Sequence, residues 1–231
     1  MNNFKLYTPE LKAALRQYRI TPTDHALKLL HHRDRAYSSH GEDGILEEIF
    51  LNRLKIKKGT ACEFGAWDGI KDSNTFNLVE EYNWTCHMIE TDPEKYKALL
   101  KTAEAYPSIK PYNETIHYNS EKGILLDDFL TSNKISDDLD LLSIDVDSCD
   151  YQIWESLTKC RPKIVIVEVN NLNLDVIYQE GAVHKKHLEG STAFPPMKRL
   201  GESKGYTLLT YTYNMIFARN DIFEVLKNEQ D

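Results

Sequence analysis

The sequence predicts an α/β domain built on a mostly parallel, doubly wound sheet of seven strands that ends in an antiparallel hairpin. Three stretches carry that expectation. Thr60 to Asn77 (TACEFGAWDGIKDSNTFN) reads as a buried strand, a glycine-bearing loop and a helix start. Lys163 to Val169 (KIVIVEV) is apolar on both faces, as a central parallel strand must be. Tyr206 to Tyr211 and Met215 to Ala218 flank Thr212-Tyr213-Asn214 and read as a hairpin.

The 231 residues suffice for one large domain with a real core. Their net charge of −8 disfavours a long polyanion as partner, so no nucleic acid is expected. Cys62, Cys86, Cys149 and Cys160 lack metal-ligand spacing and read as buried, reduced thiols. No charged-then-apolar leader opens the sequence, and no apolar run reaches about 18 residues. The expectation is a cytoplasmic protein with no membrane partner.

Residues 1–36 form an N-terminal helical extension in this reading, and 37–231 the main domain. Pro9 to Tyr18 carries a stripe of Leu11, Leu15 and Tyr18, and Thr23 to His32 follows with Asp24 as a cap candidate. These helices would cover the main domain or a partner subunit, which leaves a homodimer open. His25, His31 and His32 read as surface residues rather than ligands. Tyr37 to Gly44 (YSSHGEDG) is polar and turn-like, and leads into an amphipathic helix, Ile45 to Leu54. The segment either helps to close a site or caps that helix with Glu42 and Asp43 near its positive end.

The loop after the first strand has the pattern Glu-x-Gly-x-x-x-Gly, at Glu63, Gly65 and Gly69. Glycine permits close backbone approach to a ligand, and Asp72, Ser73 and Asn74 are cap candidates for the next helix. The three-glycine dinucleotide fingerprint is absent. Glu63 before the first glycine would repel a pyrophosphate and accept from an amino group. That favours an amino-acid-like cofactor over a nicotinamide dinucleotide.

A helix over Thr75 to Tyr82 precedes the second strand, Thr85 to Ile89. Glu90 stands at its end, where an acidic residue accepts from ribose hydroxyls. Asp92 caps the next helix, with Pro93 in its first turn. Ile109 to Tyr112 is the third strand; Asn113, Glu114 and Thr115 follow it, where an adenine would be met. Leu125 to Thr131 is a short helix.

Leu141 to Ile144 is the fourth strand, followed by Asp145, Asp147 and Asp150. Three acids this close repel one another unless a cation lies between them, and Mg²⁺ is one solution. The competing reading has Asp150 capping the helix Tyr151 to Thr158 and Asp147 solvated. The fifth strand ends at Glu168, Asn170 and Asn171, which places Asp145 and Glu168 at neighbouring strand ends. Residues 172–194 contain no clear element. His184 or His187 in that loop would serve as a general base, against the alternative of a solvated histidine. A helix over Pro196 to Lys204 stops at Gly205, and Asp221 to Asn228 is the last helix.

The succession SHGEDGILEEIF, EFGAWDGIKDSNT, IETDPEKY, LLSIDVDSCDYQIW, IVEVN and KGYTLLTYTYNMIFARN spans about residues 38–220. It resembles the class I S-adenosylmethionine-dependent methyltransferases, and within them the FkbM-like group. The resemblance implies a Rossmann-like class I methyltransferase sheet. It implies that Glu63, Gly65 and Gly69 line the methionine part of S-adenosylmethionine, with Glu63 near the amino group, and Asp68, Ser73 and Asn74 are further cofactor-binding candidates. Glu90 would hold the ribose, Asn113 would lie near the adenine, and Asp145 would lie beside the methyl group and the acceptor. Related sugar O-methyltransferases imply a Mg²⁺ site at Asp145, Glu168 and Asn170. The catalytic candidates are then Asp145 and His187. One departure is Asp147-Ser148, where the group commonly has a glycine and a glutamate, and the resemblance supplies no base.

The function expected is O-methylation of a sugar, a glycan precursor or another small polar metabolite. The alternatives are a non-catalytic methyltransferase-like binding module and a nicotinamide-dependent oxidoreductase.

Overall fold

The computed structural model describes residues 29–169, 177 and 192–228. The helix expected at Pro9 to Tyr18 lies outside them, as does most of the one expected at Thr23 to His32. Residues 29–31 are helical, and Leu29 and Leu30 are fully buried in the core of the main domain.

Seven strands form one sheet: β1 (Thr60–Phe64), β2 (Thr85–Ile89), β3 (Ile109–Tyr112), β4 (Leu141–Ile144), β5 (Ile164–Glu168), β6 (Tyr206–Tyr211) and β7 (Asn214–Arg219). Their order is β3-β2-β1-β4-β5-β7-β6. The first five run parallel, and β7 is antiparallel to both β5 and β6. Among the described residues, α-helices α1 (Glu42–Glu47), α2 (Phe76–Tyr82), α3 (Pro93–Ala105), α4 (Leu126–Ser132), α5 (Asp150–Ser156), α6 (Phe194–Ser203) and α7 (Asn220–Asn228) accompany the sheet. Strand order reverses between β1 and β4. A crevice opens there at the carboxyl ends of the strands, because the connections leave in opposite directions.

The β4 side chains are wholly buried, as are all but the last of β5. Removing such runs from water on both faces is the main favourable term in holding the sheet together. Trp84 packs against Phe50 and Trp154 against Phe217, all four fully buried in the core. Asp92 accepts from Glu94 N and Lys95 N and so caps α3 as expected, a contribution of about 1 kcal/mol.

The amphipathic helix expected over Ile45 to Leu54 is broken into two forms. After α1 the chain widens into a π-helix over Glu48–Arg53. The wider turn stacks positions five apart. That brings Arg53 Nε within 2.8 Å of Glu48 Oε1, with both side chains nearly buried. A uniform α-helix would turn these two away from each other.

Candidate functional site

Gly65 (φ +71°) turns the chain directly after β1. A Cβ there would overlap the carbonyl oxygen of Asp145 at the end of β4. The two central strand ends are thus drawn together at the switch point. Beside them lies a cavity of about 390 Å³ that reaches the ends of β1, β2, β4 and β5.

Seven carboxylates line it, those of Glu63, Asp72, Glu90, Glu114, Asp145, Asp147 and Glu168, against two lysines, Lys71 and Lys95. A site so charged suits a cationic ligand and opposes a pyrophosphate.

Glu63 is buried, and loop groups engage both its oxygens. Oε1 accepts from Asn74 N (2.8 Å), and Oε2 accepts from Ser73 Oγ (2.7 Å) and Thr75 Oγ1 (2.5 Å). Burial raises its pKa while these hydrogen bonds oppose the rise. Ser73 Oγ in turn accepts from Thr75 N and Phe76 N at the start of α2. Glu63 therefore shapes the loop as well as facing the cavity.

Glu90 is buried at the end of β2. Its carboxylate accepts from Trp67 N (2.9 Å) and Asp92 N (2.8 Å). It pins Trp67, which adopts φ +49°, a conformation uncommon for a large side chain. Trp67 is exposed at the cavity mouth, with Lys71 and Lys95 over its ring at 4.1 and 4.7 Å.

At the other wall, Asp145, Asp147 and Glu168 offer oxygens that all lie within 4.8 Å of one another. The Asp145 pKa is pushed up to about 8, first by burial and then by Glu168, Asp150, Asp147 and Glu63. These three carboxylates, all hard oxygen donors, form a group that could hold a metal ion. Asp150 does not join it. It is fully buried and accepts from Val146 N (2.8 Å) and Ser148 N (3.2 Å), which fixes the turn into α5. Burial raises its pKa to about 7.

Of the residues expected around a cofactor, Glu63, Gly65, Ser73, Glu90 and Asp145 line the cavity. Four do not, and each has another task. Gly69 faces α3, where a Cβ would lie 2.7 Å from Leu99 Cδ1. The Asp68 carboxylate accepts from Ile70 N and Lys71 N and holds a turn. Asn74 Nδ2 donates to Ser143 Oγ, and Asn113 Nδ2 ties β3 to Glu90 O. Asn170, His184 and His187 lie outside the described residues; within them Asp147 accompanies Asp145 and Glu168.

Sequence reasoning missed Trp67, Lys71, Lys95 and Ile116 as lining residues. The polar segment before α1 does contribute, since Ser39 reaches the cavity and donates to Asp72 Oδ1 at 2.7 Å. Glu42 and Asp43 stand in the first turn of α1, at its positive end as the second reading expects, and both are buried. Asp43 accepts from Ala36 N, Tyr37 N and Ser38 N, and Glu42 accepts from Thr212 Oγ1 and Asn214 Nδ2. They clamp the segment to α1 and to the terminal hairpin.

No family model matches the sequence, and no curated protein matches it. Solved structures do. The CurJ carbon methyltransferase superposes with a TM-score of 0.51 at 12% identity, over 91% of this chain and 70% of that one. The chain has a methyltransferase fold. The DszA carbon methyltransferase gives 0.50 at 16% identity, over 92% and 65%. The CMeT domain of the citrinin polyketide synthase gives 0.50 at 13%, over 90% and 59%. The chain thus spans less than two thirds of the last two. The seven-stranded sheet with its antiparallel hairpin is the Rossmann-like arrangement expected from sequence. No helix among the described residues is long and apolar enough to cross a membrane.

Proposed function

We propose that this chain is an S-adenosylmethionine-dependent methyltransferase of the FkbM-like kind, and that it methylates a hydroxyl of a sugar, a glycan precursor or another small polar metabolite. The observation that carries the reading is the cavity at the switch point, with seven carboxylates against two lysines. A sulfonium cofactor with a free amino group is a cation of the right sign, whereas a nicotinamide dinucleotide is not.

When bound, the cofactor supplies an electrophilic methyl carbon. The chain's own part is positioning. Glu90 stands where ribose hydroxyls would be held, and its two backbone donors leave lone pairs free. Glu63 holds the loop that faces the methionine end. Asp145 stands at the strand end where the acceptor would lie, and its carboxylate form would take the proton that the hydroxyl loses; burial and the neighbouring acids raise its pKa to about 8 and so make it a stronger proton acceptor. Asp145, Asp147 and Glu168 would hold a Mg²⁺ ion, which would polarise the acceptor oxygen there. His187, which precedes α6 in the sequence, is a further base candidate. The acidic charge of the chain and of the cavity disfavours a polyanionic acceptor, which supports a small one.

Calorimetric titration with S-adenosylmethionine, followed by an acceptor screen that reads S-adenosylhomocysteine release, tests the proposal. Saturable binding and turnover on a hydroxyl compound are expected. Absence of binding with and without Mg²⁺ would sink it and favour a binding module that keeps only the fold.

A further inference from the structure

The hairpin turn Thr212-Tyr213-Asn214 stands at the same end of the sheet as the crevice. β7 runs antiparallel to β5, so Asn214 pairs with Glu168, where β5 ends. Val169 N donates to Tyr213 O at 3.4 Å. The turn therefore adjoins Glu168, one of the three acids of the crevice wall.

Most of this turn is buried and fixed. Thr212 Oγ1 and Asn214 Nδ2 both donate to Glu42 Oε1, at 2.5 and 3.1 Å, and Glu42 Oε2 accepts from His40 N at 2.9 Å. Of the three turn residues Tyr213 alone faces outwards, with 46% of its surface exposed. Its φ of +104° is one that glycine takes readily and tyrosine does not. Such a conformation costs stability and persists only where the surroundings over-determine it. Glycine would serve the turn at less cost, so the turn alone gives no reason for a phenol ring here.

The ring continues an aromatic run. Phe194 meets Tyr211 edge to face, the Tyr211 and Tyr213 ring centres are 6.1 Å apart, and Tyr213 lies 4.4 Å from His40 at an inclination of 31°. Burial first, then Tyr213 and Glu168, raise the Tyr211 pKa, so the run lies within the field of the acidic wall. At its other end the neighbour of His40, Ser39, lines the crevice cavity. Burial lowers the His40 pKa, opposed by Glu42 and Asp72 and aided by Arg33 and Arg35, which favours a neutral ring at neutral pH. Among the described residues neither the His40 ring nitrogens nor Tyr213 Oη has a hydrogen-bond partner. The result is an uncharged aromatic shelf with free polar atoms, next to carboxylate oxygens.

We propose that Tyr213 and His40 specify the acceptor, and that they hold an uncharged pyranose. The inference rests on the methyltransferase reading above and narrows its acceptor class. A pyranose presents C–H bonds on one face and hydroxyls around its edge. The C–H face lies on the Tyr213 ring, and the hydroxyls meet His40, Tyr213 Oη and the Glu168 carboxylate. A phenol would cover the ring but bring few hydroxyls. An acyclic polyol would bring hydroxyls but no rigid face, and an anionic sugar would be repelled by the acidic wall.

Saturation-transfer-difference NMR on the full chain tests this, with and without S-adenosylhomocysteine. The probes are the methyl α-pyranosides of glucose, mannose and galactose, with sorbitol and catechol as controls. At least one pyranoside is expected to receive saturation on its ring C–H protons, and more than either control. Tyr213→Gly suits the φ of +104° and should keep the circular dichroism spectrum and the affinity for S-adenosylmethionine, while weakening the pyranoside about tenfold. His40→Ala is the second variant, because the anchors of His40 to Arg33 and Glu42 are backbone groups; it should weaken the pyranoside as well. Sugar contact is read without turnover. Failure of S-adenosylmethionine to bind would thus sink the proposed reaction and leave the shelf to be judged on the pyranosides. No saturation of any pyranoside in either state, equal saturation of a control, or wild-type pyranoside affinity in the folded variants would each overturn the proposal.

Discussion

Gly65 packs against the carbonyl oxygen of Asp145 so closely that no β-carbon fits between them. One contact joins the glycine loop to the acidic wall, and its φ of +71° is itself unfavourable for other residues. Gly65→Ala is expected to separate the ends of β1 and β4. Stability should fall by about 2–4 kcal/mol, from backbone strain together with overpacking. Urea unfolding would read the loss. S-adenosylmethionine titration at a temperature where the variant is folded should show binding weakened as well. A variant with wild-type stability and affinity would mean that the two strand ends need not touch.

Glu90 and Trp67 form a second such link, carboxylate to backbone N–H at 2.9 Å. Glu90→Ala removes the acceptor that steadies Trp67 and, on the proposed function, the ribose partner. Cofactor affinity should fall about tenfold to a hundredfold, as for loss of a charge-assisted hydrogen bond. The emission of Trp67 should change even without ligand. Unaltered affinity would remove Glu90 from the cofactor site.

Asp145, Asp147 and Glu168 test the metal. Asp145→Asn keeps the shape but removes one charge from the trio. If Mg²⁺ is held there, this variant should lose nearly all turnover, and EDTA should do the same to the wild type, with Mg²⁺ restoring it. Full wild-type activity in EDTA would exclude a metal-dependent reaction and leave the Asp145 carboxylate as a proton acceptor only.

The central strands were legible because buried parallel strands are written as short, largely apolar runs, as in LLSI before Asp145 and IVIV before Glu168; TACEF stops at Gly65 and TCHMI at Glu90. The acids at those ends were legible for the same reason, since a strand end in a doubly wound sheet faces the crevice. Gly69 was not. A glycine that admits a ligand and one that admits a neighbouring helix look alike in sequence, and only Leu99 and Met88, brought in by the sheet, decide between them. Trp67 was hidden because its left-handed backbone is imposed by Glu90, 23 residues away. The π-helix was hidden too. Ile45, Leu46, Ile49 and Phe50 fit an ordinary amphipathic helix, and only the buried pairing of Glu48 with Arg53 betrays the wider turn.

His87 gives a prediction about stability that is independent of the catalytic reading. It sits on β2, half-buried, with Nδ1 3.0 Å from Tyr112 Oη. Burial first, and Lys110 second, lower its pKa to about 4. An unfolded histidine titrates near 6.5. Between these values the unfolded chain binds the proton and the folded chain does not, so this contribution to stability is complete above about pH 6.5 and is lost as the pH falls towards 4. Because the ring is only partly buried, solvent screening reduces the contribution to about 1–2 kcal/mol. His87→Leu cannot take up the proton. Its unfolding free energy, measured in urea from pH 7 to pH 4.5, should fall less steeply than that of the wild type. Parallel curves would mean that His87 titrates alike in both states and that its burial does not exclude the charged ring.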